Sequence, residues 1–181
     1  MSKEQIKLRG FTLVELIITL SIAAILAAIA APSFATSIQN NRMATQYNEL
    51  LASLTLARSE AIKRGQRVSV CQSSTGNSCG GSATNWHAGW LVFVDTDSDD
   101  NIDVGEEILR VNASLSGGNT LAFGTTRTRV AYASDGLAVG NSNGTFTLCD
   151  ARGDASSRGL LVSTTGRARH AVPADGLNAC P

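Results

Sequence analysis

The chain has 181 residues, 43% of them hydrophobic, and its 15 Lys and Arg balance 15 Asp and Glu. That length suits one domain plus an anchor, and the zero net charge excludes any account of its partners from global electrostatics alone. Charge is instead segregated: seven acidic and no basic residues lie between Cys71 and Leu109, whereas seven Arg stand against four Asp from Arg110 to Pro181.

Residues 1 to 10, MSKEQIKLRG, are short, polar and basic, and the text then changes to FTLVELIITLSIAAILAAIAA, residues 11 to 31, with Glu15 as its one charge. At 1.5 Å per residue this run spans roughly 31 Å, the hydrocarbon thickness of a bilayer, and is longer than the apolar core of an ordinary signal peptide. The basic leader stays cytoplasmic by the positive-inside rule, which places everything after residue 31 on the far side of the membrane. A carboxylate in such a segment is costly, so Glu15 is read as sitting near the helix start or as meeting a positive partner when subunits pack. An α-amine exposed at Phe11 of a neighbouring chain, by cleavage after Gly10, would be such a partner. The order G-F-T-L-V-E, residues 10 to 15, before an apolar helix resembles the class III signal of type IV pilins and type II secretion pseudopilins. The resemblance implies cleavage by a prepilin peptidase between Gly10 and Phe11, N-methylation of Phe11, a role for Glu15 in assembly, and a helix kink at Pro32.

The helix is predicted to continue to about Arg64 as an amphipathic segment over 32–64, because Phe34, Ile38, Tyr47, Leu50, Leu51, Leu54 and Ala61 recur at helical spacing and Gly65 suits a C-cap. Over 65–181 the period shortens. Segments 67–72, 89–95, 107–112, 119–124, 128–133, 144–150 and 158–164 read as strands punctuated by Gly, Asn and Asp. The expected fold class is α+β: a long N-terminal helix, transmembrane in its first half, packed on an antiparallel β domain in the manner of type IV pilins. RSEAIKRGQRVSVC, then GWLVFVDTDSDDNIDVGEEILRV, then a Gly-rich C-terminal stretch resemble the GspH/FimT family of minor pilins and pseudopilins. That resemblance implies insertion in the bacterial inner membrane with the globular domain in the periplasm. It implies assembly with other major and minor pilins or pseudopilins into a filament, where the chain becomes extracellular and sits near the tip.

No enzyme constellation stands out: there are two histidines and no H-E-x-x-H, P-loop or G-x-S-x-G. Cys71, Cys79, Cys149 and Cys180 allow three connectivities, among which sequence does not choose. The pairing put forward joins Cys71 to its near neighbour Cys79, and Cys149 to Cys180, which would pin the C-terminus. In DTDSDDNIDVGE, residues 95 to 106, Asp95, Asp97, Asp99 and Glu106 fall at positions 1, 3, 5 and 12 of an EF-hand-type calcium loop. Position 6 is Asp100 where Gly belongs and the flanks read as strands, so a solvated turn without a cofactor is expected, with calcium as the competing reading.

The tail carries T-T-G-R-A-R-H, residues 164 to 170. Gly166, Arg167 and Arg169 match the G-R-x-R motif that, by resemblance, marks FimT-type minor pilins implicated in DNA uptake. In an extended segment Arg167 and Arg169 point the same way and can reach consecutive phosphates of double-stranded DNA, with His170, Arg158 and Arg152 in support. Arg127 and Arg129 are candidates for the same face. The competing function is a structural, priming pseudopilin of type II secretion that binds no DNA.

Overall fold

The computed structural model describes residues 11–180. They fall into two compact units that divide between Asn41 and Arg42. The helix α1 (Leu13–Arg64) contributes to both.

In the first unit the apolar side chains of α1 are exposed, and the segment is long and apolar enough to cross a membrane. Four hydroxyl side chains here bond to the backbone. The Thr12 hydroxyl accepts from the Glu15 N–H at 3.2 Å, an N-terminal cap, and Thr19, Ser21 and Thr36 donate to the carbonyls of Leu16, Ile17 and Pro32. The helix runs through Pro32, which has no N–H to offer the carbonyl of Ala28. Phe34 and Ile38, expected on the packing stripe, are exposed.

In the second unit the buried stripe begins at Met43 and continues through Gln46, Leu50, Ser53, Leu54, Ala57 and Ala61. This is the 3.6-residue period of one helix face. The helix ends at Gly65, whose φ of 65° suits glycine and whose N–H reaches the Ala61 carbonyl at 3.0 Å.

That face packs on two antiparallel sheets. The strands are β1 (Val68–Gln72), β2 (Trp90–Val94), β3 (Ile108–Asn112), β4 (Thr120–Phe123), β5 (Arg129–Tyr132), β6 (Ala138–Val139), β7 (Gly144–Cys149), β8 (Arg158–Val162) and β9 (Ala168–Ala171). One sheet has the order β3-β2-β1-β5-β6 and the other β4-β7-β8-β9. The seven predicted strand segments each hold a strand. Strands β6 and β9 were not among them: β6 is two residues long, and the Ala-Arg-His-Ala of β9 has no β-branched or aromatic run. Its register comes from β8, with Val162 opposite Ala168 and Leu160 opposite His170.

Trp86 and Trp90 are fully buried. Trp86 sets its edge on Phe146 at 4.9 Å, and Phe146 stacks on Phe123 at 4.0 Å. Both indole N–H groups are satisfied, Trp86 by the Arg127 carbonyl at 3.1 Å and Trp90 by the Ser53 hydroxyl at 3.0 Å. Ser53 therefore interrupts the apolar stripe because an indole needs an acceptor there. Gln46 does so because Asn119 does: Asn119 Nδ2 donates to Gln46 Oε1 at 2.7 Å, and Gln46 Nε2 to the Ser116 carbonyl at 3.0 Å. Disulfides join Cys71 to Cys79 and Cys149 to Cys180, with Cα separations of 5.6 and 5.7 Å.

Candidate functional site

The G-R-A-R segment runs from the turn between β8 and β9 (Gly166, Arg167) into β9 (Ala168, Arg169). Ser163 and Arg167 close the turn, the Ser163 N–H donating to the Arg167 carbonyl at 3.0 Å and the Gly166 N–H to the Ser163 carbonyl at 2.9 Å. Gly166 has φ 75° and is buried, and a Cβ there would stand 1.9 Å from the Gly136 carbonyl oxygen. Its close approach is thus to the β5–β6 turn of the other sheet. The Ala138 N–H donates to the Thr164 carbonyl at 3.1 Å across the same junction.

Arg58, on α1, ties the two turns together. Its Nε donates to the Gly136 carbonyl at 3.0 Å and its Nη2 to the Thr165 carbonyl at 3.2 Å. Arg58 is not among the residues at helical spacing that mark the packing stripe, and no motif marks it. A recess of about 150 Å³ opens here, lined by Leu54, Thr55, Arg58, Gly166, Arg167 and Ala168. Two guanidiniums thus line one small recess.

The other basic candidates are disposed differently. Arg167 is exposed and its guanidinium has no partner among the described residues. Arg169 is a strand residue that clamps Asp175 with both terminal nitrogens, at 2.8 and 2.9 Å. That pair holds the Asp175 carboxyl below its ordinary value. Arg167 precedes the strand and lines the recess, while Arg169, also exposed, is paired with a carboxylate. Arg152 is likewise held by Asp150, with Nε 2.9 Å from Oδ2. His170 is exposed and meets the edge of the Tyr47 ring at 6.1 Å, and Arg158, half-buried, lies near the same tyrosine. Arg127 donates to the Asn141 carbonyl at 3.0 Å, and Arg129 pairs with Asp100 at 3.0 Å, which commits Arg129 to the acidic loop.

The acidic loop between β2 and β3 brings Asp95, Asp97 and Asp99 together, one carboxylate oxygen of each lying within 4.8 Å of the others. Asp95 is fully buried, and burial pushes its carboxyl above the ordinary value against the pull of the Ser69 hydroxyl. Glu106 is not part of this group. Its Oε1 accepts from the Thr96 N–H and hydroxyl at 2.6 and 3.0 Å, and its Oε2 from the Asp103 N–H at 3.2 Å, so it closes the loop instead. Asp100 is taken by Arg67 and Arg129.

A cavity of about 430 Å³ on the sheet of β4 and β7 is lined by Thr84, His87, Thr120, Ala122, Thr147 and Asn178. At the N-terminus Phe11 is exposed and Glu15 lies in the first turn of α1, while Gly10 lies outside the described residues.

Residues 46–166 match the family described as Type II transport protein GspH, and residues 7–31 match the Prokaryotic N-terminal methylation motif. A search of the curated proteins finds no match. Among solved structures, the type IV minor pilin FimU of Pseudomonas aeruginosa is similar in fold, with a TM-score of 0.59 at 21% identity, over 79% of this chain and 98% of that one. A second crystal form of FimU gives 0.54 at 21% identity over 74% and 96%. The minor pseudopilin EpsH from the Type 2 Secretion System of Vibrio cholerae gives 0.49 at 14% identity over 73% and 98%.

Proposed function

The chain belongs to the GspH family, with the fold of type IV minor pilins, and on that premise we propose that it is a minor pilin whose β8–β9 turn contacts the phosphates of duplex DNA during uptake. The methylation motif and the exposed apolar helix are those of a membrane-anchored pilin subunit that is processed by a prepilin peptidase and assembles with other pilins. The basic leader sets the globular unit on the periplasmic side before assembly, and the filament then carries it outward, near the tip.

The observation that carries the DNA reading is the recess shared by Arg58 and Arg167. Arg167 offers an exposed, unpaired guanidinium, and Arg58 is fixed by two backbone carbonyls with its third nitrogen still available. Such contacts recognise phosphate and not base, so binding is independent of sequence. The test is transformation of the host carrying Arg167→Gln, with filaments counted in parallel. Loss of transformation with filaments intact supports capture by this turn; normal transformation contradicts it.

A second reading, a structural pseudopilin that primes a secretion filament, is favoured by the ion pairs of Arg152 and Arg169, which withdraw two of the basic groups. It predicts a secretion defect and no DNA binding.

A further inference from the structure

We infer that the loop from Asp95 to Glu106 binds one calcium ion, held by the carboxylates of Asp95, Asp97 and Asp99. The three converge within 4.8 Å, a separation that oxygen ligands of calcium at about 2.3–2.6 Å from the ion would have. Convergence of exposed carboxylates alone would not point to an ion. The second observation is Asp95 itself, fully buried, with an Oδ1 that no hydrogen bond of good geometry reaches, although the Ser98 N–H lies close enough to favour the charged carboxyl. Its other oxygen is occupied: Oδ2 accepts from the Ser69 hydroxyl at 2.8 Å and lies 3.0 Å from Arg67 Nε. That Arg67 nitrogen makes an ion pair without the geometry of a hydrogen bond. A buried carboxylate oxygen without a hydrogen bond of good geometry is costly, and a cation is the partner that removes the cost without adding a protein group.

Two neighbouring acidic side chains, Asp100 and Glu106, are committed to other partners, and Asn101 orients Asp99. Arg67 and Arg129 neutralise Asp100, the neighbour that would crowd the site with a fourth charge. Glu106 spends both oxygens on the backbone and hydroxyl of Thr96 and on Asp103, fixing the loop's mouth. Asp99 is held by Asn101, which donates to both of its oxygens at 2.7 and 3.0 Å. Three carboxylates completed by water suit calcium, which accepts six to eight oxygens in irregular geometry, better than magnesium, which demands a near-ideal octahedron.

The test is equilibrium dialysis of the full chain in detergent micelles with calcium chloride, alongside melting of the near-ultraviolet circular dichroism. One calcium per chain is expected, with Kd on the order of 10⁻⁴–10⁻³ M, the range of extracellular calcium modules. At about ten times Kd the melting temperature should rise by roughly 3–5 °C. Asp97 and Asp99 are exposed, so the Asp97→Asn/Asp99→Asn variant should fold and lose binding by more than about tenfold, since two of the three charged ligands are removed. Absence of bound calcium in the wild type, retention of binding by the double variant, or an equal melting shift with magnesium chloride would each overturn the assignment.

Discussion

The Cα of Gly166 faces the carbonyl oxygen of Gly136 so closely that a methyl group would stand 1.9 Å from it. The same carbonyl accepts from Arg58, so one oxygen organises the contact between the two sheets and the recess beside Arg167. Gly166→Ala must therefore separate the turns, in addition to straining a backbone at φ 75°. We expect a loss of about 2–3 kcal/mol in denaturant unfolding. Arg167→Gln, on the exposed side of the turn, should change stability by less than about 0.5 kcal/mol. Equal stabilities for the two variants would mean that the turns do not pack as described.

Asp175 restrains Arg169, and Asp175→Asn should release it toward phosphate. The expected result is tighter DNA binding and a log–log salt slope steeper by about 0.9, one further contact. Acid has the same direction. The carboxyl is held below its ordinary value of 3.8, so the clamp's contribution is complete above that pH and is lost as pH falls through the lower folded-state value. Near neutrality the clamp is closed, and a pH titration of binding above about 5 should show no step from this pair. A step there that persists in a His170→Gln protein and vanishes with Asp175→Asn would contradict the assignment.

Tyr132 is fully buried and its hydroxyl has no partner, and burial drives its ionisation well above the ordinary range. Tyr132→Phe should remove an unsatisfied polar group at no cost in packing, raising stability by about 1 kcal/mol. Destabilisation in thermal unfolding would show that the hydroxyl is satisfied in solution.

The Cys149–Cys180 bridge spans 31 residues and closes a loop that contains β8, β9 and the basic turn. On the chain-entropy account its removal as Cys149→Ser/Cys180→Ser costs on the order of 3–4 kcal/mol. Part of the tail's attachment survives, because the Asn178 N–H donates to Thr147 Oγ1 and its side-chain amide to the Gly124 carbonyl, both at 2.9 Å. Calorimetry should therefore show a lower Tm with the cooperative transition retained.

Long-period and short-period patterns made most of the fold legible: the helix to Arg64, its Gly65 cap and seven strands follow from spacing and turn residues. Phe34 and Ile38 misled because apolar residues at helical spacing do not say which stretch has something to pack against. Gln46 and Ser53 were invisible as core residues because their role depends on Asn119 and Trp90, distant in sequence. The site was legible as a motif and not as a geometry. Periodicity put Arg167 and Arg169 on one face, but a turn ends at the first and a carboxylate six residues further on takes the second. Arg58 belongs to the site only because two turns, 78 and 107 residues away along the chain, converge on it.

If the β8–β9 turn holds phosphate, a salt titration of DNA binding counts its contacts. Fluorescence anisotropy of a short mixed-sequence duplex with the full chain in detergent micelles should give a log–log slope of about −2 to −3 for the wild type. Arg167→Gln should make the slope shallower by about 0.9 and weaken binding equally for all sequences tested. An Arg167→Gln protein with the wild-type slope and affinity would contradict the account and leave the structural pseudopilin in its place.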